Sequence, residues 1–269
     1  MKNQKMSEVV FCALDLETTG SNPIFNRIVE VGMVRFSLDK IIDVYETLVD
    51  PEIDIPDDVI SIHGITDSMV ASSPKIEDIL DDITDFIGDS ILVIQGPIFD
   101  LTFLDQAYKE YGKKAPRLKS IDTVRLGRHA FPSLHNHKLK TICTHLGINL
   151  NHHRALSDAR ACMEIFKSFV NQFDPDDSWD LSDLLDLHGK FIKPRIIKKV
   201  NKYTKIFRKI TIGEVSKIRY SDSHGNETVR EILPQEIIKY GNKNYILAYC
   251  FLRQGKRYFQ ADNILKIFE

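Results

Sequence analysis

The sequence predicts a mixed α/β sheet with helices on both faces over residues 1–173. A linker with one short helix is expected over 174–204, and a small all-β unit over 205–269. Three observations lead there. Three apolar runs of strand length follow one another near the N-terminus across short polar joints, which favours an antiparallel meander. Strand-like and helix-like periods then alternate as far as Phe173, as in a sheet layered by helices. Beyond about Ile206 the helical period is lost, and short strands over 205–212, 215–220, 228–233, 236–240, 244–252 and 256–260, separated by turn residues, replace it.

Residues 9–17 form the first run, broken at Thr18-Thr19-Gly20, and 27–36 and 41–49 read as the next two strands. Residues 51–56 are a proline-bounded loop, and 61–66 a turn leading to Asp67 or Ser68 as a helix cap. Ser73-Pro74 opens a helix whose apolar positions Ile76, Ile79, Leu80, Ile83, Phe86 and Ile87 recur at helical spacing. Residues 91–94 are apolar throughout, as in a central strand covered on both faces. That strand ends at Gln95-Gly96-Pro97, where a helix carrying Phe99 and Asp100 begins. A short strand near 120–123, a helix over 138–146 and a long amphipathic helix over 155–173 complete the pattern.

With 43% hydrophobic and 28% charged residues, the 269-residue chain has an ordinary soluble composition. No apolar run reaches the length of a membrane span, and residues 1–5 lack the apolar core of a signal peptide. No membrane partner is expected. Cys12, Cys143, Cys162 and Cys250 show neither CxxC nor zinc spacing and read as reduced thiols of a cytoplasmic protein. The net charge of -2 conceals a division: residues 190–269 carry 18 Lys+Arg against 7 Asp+Glu, and residues 1–189 carry 18 against 31. A basic block on an acidic body suggests separate units and an anionic partner for the block.

Asp15 and Glu17 lie at i and i+2 of the first strand, so they point to one side of it. Two anions so placed repel each other, and a divalent cation with a taste for hard oxygen ligands compensates them best. Two further acids fall at helix starts: Asp100 after the apolar strand, and Asp158 in the first turn of the long helix, with His153 just before it. Strand ends and helix starts that converge on one sheet edge are where α/β proteins build sites.

In chain order, Asp15-Leu16-Glu17-Thr18-Thr19-Gly20, Phe99-Asp100 with Phe103-Leu104, and the segment from His153 to Ala159 resemble three motifs of a known family. That family is the DnaQ-like 3′–5′ exonucleases, the DEDDh branch of the ribonuclease H-like fold. Ile62-His63-Gly64-Ile65-Thr66 and the stretch from Ile121-Asp122-Thr123 to Lys138-Leu139-Lys140 match as well, so the resemblance covers about residues 8–173. It implies that Asp15, Glu17, Asp100 and Asp158 hold two divalent cations, Mg2+ or Mn2+, ~4 Å apart in the general two-metal arrangement. One ion would activate water and the other would stabilise the leaving 3′-oxygen. His153 would be the general base, and Thr18, Thr19, His63, Phe99 and Asp122 are candidates for the nucleotide pocket. One departure stands out: relatives carry His-Asn-Ala where this chain has Gln95-Gly96-Pro97, which alters the local shape of the substrate pocket.

The C-terminal unit resembles a WYL domain, a small Sm-like barrel. The match runs through Ile232-Leu233-Pro234, residues 241–249, Arg253 and residues 257–264, although Asn244 replaces the naming tryptophan. Relatives of this module sense a ligand or bind nucleic acid. Tyr249, Arg253, Arg257 and Tyr258 combine cationic and aromatic side chains, the pairing that grips single strands. The whole is thus expected to be a cytoplasmic 3′–5′ exonuclease with a nucleic-acid partner, DNA before RNA or short oligonucleotides. A nucleic-acid or nucleotide sensor built on an inactive nuclease fold is the rival reading. A homo-oligomer and a regulatory ligand on the WYL-like unit stay open.

Overall fold

β1 (Phe11–Thr18) feeds two different cores, as a side-chain period of two requires. Cys12, Leu14 and Leu16 enter one cluster, and Phe11 and Ala13 the other. β2 (Ile28–Phe36) pairs antiparallel with β1, and β3 (Ile41–Leu48) antiparallel with β2. On the other side, β4 (Ile91–Ile94) and β5 (Ser120–Asp122) add in parallel, giving the order β3-β2-β1-β4-β5. The meander and the fully buried central strand follow the sequence pattern. This computed structural model describes residues 4–199, 209–222 and 225–268, and it divides into two units, Met1–Pro194 and Arg195–Glu269.

In the first unit, α1 (Asp57–His63) and α2 (Asp67–Val70) cover a small satellite cluster of Val29, Ile55, Ile65 and Val70. α3 (Ile76–Ile87) and α4 (Ile98–Glu110) cover the Leu14 face of the sheet. The opposite face carries α5 (Thr123–Ala130), α6 (Leu139–Leu146), α7 (Ala155–Phe173) and α8 (Leu181–His188). There Phe166 of α7 meets Phe11 at 4.6 Å and Phe36 at 6.0 Å between ring centroids. Burying each such ring contributes roughly 2–3 kcal/mol, which is what seats α7 on the sheet.

Two stretches differ from the sequence reading. Residues 61–63, expected as part of a turn, close a helix that begins at Asp57, because Asp57 and Asp58 occupy its first turn and Gly64 ends it at φ 74. The stretch expected as a linker begins inside the first unit. Asp180 caps α8 in a capping box with Asp183, and Leu181 and Leu184 join the core shared with α7. His188 Nε2 then accepts a hydrogen bond from Asp122 N at 2.8 Å.

The second unit is antiparallel. β6 (Lys198–Lys199) pairs with β8 (Glu227–Tyr240), and the main path runs β10 (Gly255–Gln260), β9 (Lys243–Cys250), β8, β7 (Ser216–Ser221), β11 (Ile264–Phe268). One core gathers Ile218, Ile232, Ile246, Ala248, Phe259 and Ile264, so both edge strands contribute to it. Two expected strands merge into β8, with a register shift at Pro234, which has no N–H to donate. The expected strand over 205–212 lies mostly outside the described residues, and its described part, 209–212, is not strand. β11 was not expected. All four cysteines are buried free thiols, and among the described residues no helix is long and apolar enough to cross a membrane.

Candidate active site

The odd-numbered residues of β1 face α7, so Asp15 and Glu17 point toward it. Across the ladder, Asp15 stands opposite Gly32 and Glu17 opposite Glu30. A Cβ on Gly32 would lie 2.2 Å from the backbone of Ala155 and Leu156, so only glycine lets the first turn of α7 rest on the sheet. That contact brings Asp158 to β1. Carboxylate oxygens of Asp15, Glu17 and Asp158 lie within 4.8 Å of one another. Asp100, buried in the first turn of α4, is tied to the same strand, because Leu16 N donates to its Oδ1 at 3.1 Å.

The cluster is electrostatically loaded. Burial, then repulsion from Asp100, Asp158, Glu17 and Glu30, holds the Asp15 carboxyl well above its ordinary range. Burial and the neighbouring Asp158 push Glu17 up to about 8, and burial pushes Asp100 up to about 7 against two backbone hydrogen bonds. Asp158 is raised by burial as well, and its Oδ1 is buried with no hydrogen-bond partner. An orphaned carboxylate oxygen among mutually repelling acids is a donor set that a hard divalent cation fits.

His153 precedes α7 in a left-handed conformation, φ 67, with its ring stacked on His152 at 3.8 Å. Burial, then His152, lowers its pKa. His152 approaches Asp158 Oδ2 with Nδ1 at 2.8 Å. His63 is buried, its Nδ1 accepts from Ile65 N at 3.0 Å, and its Nε2 has no hydrogen-bond partner. Burial lowers its pKa, against the opposing pull of the Thr18 backbone and of Glu30.

The other expected pocket residues divide. Phe99 is 36% exposed, its ring tilted against that of Phe103 with centroids 4.8 Å apart. Thr18 and Thr19 spend their hydroxyls on the turn after β1: Thr18 Oγ1 donates to Gly20 O, and Thr19 Oγ1 accepts from Arg27 N. Asp122 Oδ1 accepts from Val124 N at 2.9 Å and from Gly96 N at 3.1 Å, so it caps α5 and fastens the end of β4. In place of the histidine of relatives, Gln95 bridges His137 O and Thr123 Oγ1. Glu30, Gly32 and Arg154 went unnoticed as site residues; a lone acid within the buried apolar run of β2 was the available signal.

The structure does not bring together the four residues singled out in the second unit. Tyr249 lies opposite Lys256 and Leu247 opposite Tyr258, which puts the two tyrosines on one face of the β9–β10 ladder. Arg257, opposite buried Ala248, belongs to the other face, and Arg253 lies in the exposed turn between the strands.

A five-stranded mixed sheet of this order, layered by helices, defines the ribonuclease H-like class. Residues 12–166 match the RNase T exonuclease family and 203–268 the WYL domain; the chain belongs to that exonuclease family, as a DnaQ-like member with a C-terminal WYL domain. Among curated proteins, DNA polymerase III PolC-type of Halalkalibacterium halodurans is 38% identical over 152 residues, 56% of this chain and 11% of that one. Its counterpart in Clostridium perfringens is 35% identical over 193 residues, 71% of this chain and 13% of that one. The chain therefore spans only a small part of these relatives. Among solved structures, exonuclease X in complex with 5′-overhanging duplex DNA has a TM-score of 0.52 at 24% identity, covering 66% of this chain and 99% of that one. E. coli exonuclease I in complex with a dT13 oligonucleotide has a TM-score of 0.57 at 16% identity, covering 86% and 55%. Both likenesses show the fold.

Proposed function

We propose that the chain is a divalent-metal-dependent 3′–5′ exonuclease that releases nucleoside 5′-monophosphates from DNA in the cytoplasm. The observation that carries this reading is the convergence of Asp15, Glu17 and Asp158 within 4.8 Å, with an orphaned oxygen on Asp158. Asp100 completes the set from α4. These four carboxylates would hold Mg2+ or Mn2+, which supplies Lewis acidity for water activation and charge neutralisation when bound. His153 would take the proton of the attacking water, from a loop at the edge of the acids. His63, buried beside the acids, would bond the terminal nucleotide, while the exposed ring of Phe99 offers a face to its base. Thr18, Thr19 and Asp122 would act indirectly, by holding the walls of the pocket. The PolC-type relatives support DNA as the substrate, and the WYL domain is read as a nucleic-acid-binding or regulatory module.

The test is release of mononucleotides from end-labelled single- and double-stranded DNA and RNA with Mn2+, comparing the wild type with Asp15→Ala. Metal-dependent shortening from the 3′ end that vanishes in the variant is expected. Failure of the wild type to shorten any polymer would overturn the nuclease reading.

A further inference from the structure

We propose that the basic cleft between β6 and the β8–β9 hairpin of the second unit binds the phosphodiester backbone of single-stranded nucleic acid. The cleft, of about 510 Å³, is lined among the described residues by Arg195, Ile196, Lys198, Lys239, Gly241 and Asn242: three cations and no acid. It lies at the Asn244 end of β9, where Lys239 stands opposite Asn244, whereas Arg257 stands opposite Ala248 toward the other end of that strand.

The register carries the argument. Lys198 and Lys239 stand directly opposite each other across an antiparallel pair, an arrangement that like charges disfavour. Among the described residues neither is ion-paired. Elsewhere in the same sheet the pairing is complementary, as where Lys217 faces Glu231. A second like-charged pair, Lys266 opposite Arg219, has an outlet, because the Lys266 ammonium lies 5.0 Å from the centre of the Phe268 ring. Among the described residues the pair in the cleft has no such outlet, and a bridging phosphate would supply the missing anion.

The surroundings suit a polymer rather than a free anion. Arg195 lies over the Tyr240 ring at 5.6 Å, and its guanidinium reaches the hairpin at Gly241, where a Cβ would stand 3.4 Å from Nη1. The turn residue itself has φ 59, which favours glycine. Ile196, 63% exposed, sits two residues before Lys198 in the same wall. Cations flanked by an aromatic ring and an exposed apolar side chain give phosphate contact and base packing side by side, the means by which single strands are held without sequence choice.

The experiment uses the full chain in EDTA, with fluorescein-labelled oligothymidylate and oligouridylate, and reads anisotropy against salt. The nuclease reading guides only the choice of probe. Binding measured without cleavage survives that reading's failure, and the Asp15→Ala digestion tests that reading alone. Lys239→Glu removes one cation and neutralises Lys198, so two phosphate contacts go. Affinity should fall about tenfold or more, and the slope of log K against log salt should shrink by ~1.4. The same variant exchanges a repulsive cross-strand pair for an attractive one, so the unfolding midpoint should rise. Weaker binding by a more stable module is a combination that structural damage does not produce. Should Lys239→Glu unfold the module, Lys198→Gln/Lys239→Gln is judged by its affinity and salt slope against the wild type. Arg253→Glu/Arg257→Glu, at the other end of β9, should keep the wild-type slope. Unchanged affinity in Lys239→Glu, or loss confined to the Arg253/Arg257 variant, overturns the proposal, as does displacement of the oligomers by equimolar mononucleotide.

Discussion

Glu30 holds Arg154 across the sheet–helix interface: its Oε1 accepts from Arg154 Nη2 at 2.7 Å and Nε at 3.0 Å. Its Oε2 accepts from Ala155 N, the first amide of α7, at 2.8 Å. One fully buried carboxylate thus fixes both the residue before α7 and the helix start itself. Glu30 also stands opposite Glu17 in the ladder, and Arg154 works against the rise in the Glu17 pKa. The ion pair joins the motif around Asp158 to the motif on β1.

Glu30→Gln keeps the shape but removes the charge that Arg154 and the helix start share. Loss of charge-assisted hydrogen bonds of this kind costs ~2 kcal/mol. A lower unfolding midpoint is expected, together with weaker Mn2+ binding by calorimetry, because Asp158 loses its fixed position. Unchanged metal affinity would show that Glu30 serves stability alone.

Gly32→Ala tests the closeness of the same interface from the other side. The added methyl would meet backbone at 2.2 Å, and backbone cannot rotate away as a flexible side chain does. Overpacking of this sort costs ~1–3 kcal/mol or more, and it would lift the first turn of α7 from β1. Hydrolysis should fall by at least tenfold while the sheet's circular dichroism persists; full activity would mean that α7 tolerates displacement.

Much of this site could be read in the sequence, because strand and helix periods fix which side chains share a face. Asp15 and Glu17 at i and i+2, and Asp158 one turn into a helix, were legible for that reason. Glu30 and Gly32 were not, since their roles depend on which helix crosses β2, a long-range fact that no local period records. Helix α1 escaped notice because it has seven residues and buries few of them, with Ile62 55% exposed. The four WYL-unit residues looked like one patch only because they are close in sequence; the ladder register separates them. Proline inside β8 reads as a break, yet a register shift absorbs it.

The acids also predict how the metal-free protein responds to pH. Glu17 is pushed to about 8 and Asp100 to about 7, both above the ordinary carboxylate range. The folded state therefore binds protons more tightly than the unfolded chain, and stability is greatest below the ordinary range and falls as pH rises through about 4 to 8. In EDTA the unfolding midpoint should be higher near pH ~5.5 than near pH ~8, and Mn2+ should abolish most of the difference. Asp15→Asn should flatten the profile. A midpoint that climbs across this interval would contradict the arrangement of unpaired acids.

Asp122 separates a structural role from a substrate role. Its Oδ1 caps α5 through Val124 N and holds Gly96 N, so it fixes the joint that carries Gln95-Gly96-Pro97. Loss of a helix cap costs ~1 kcal/mol, and the second acceptor bond adds to that. Asp122→Ala should therefore lower the unfolding midpoint, while Asp122→Asn, whose amide oxygen still caps, should restore most of it. If Asp122 acts only through this joint, Asp122→Asn should also leave the KM for an oligonucleotide near wild type. A KM raised several-fold in Asp122→Asn, at unchanged stability, would instead place the carboxylate charge against the substrate.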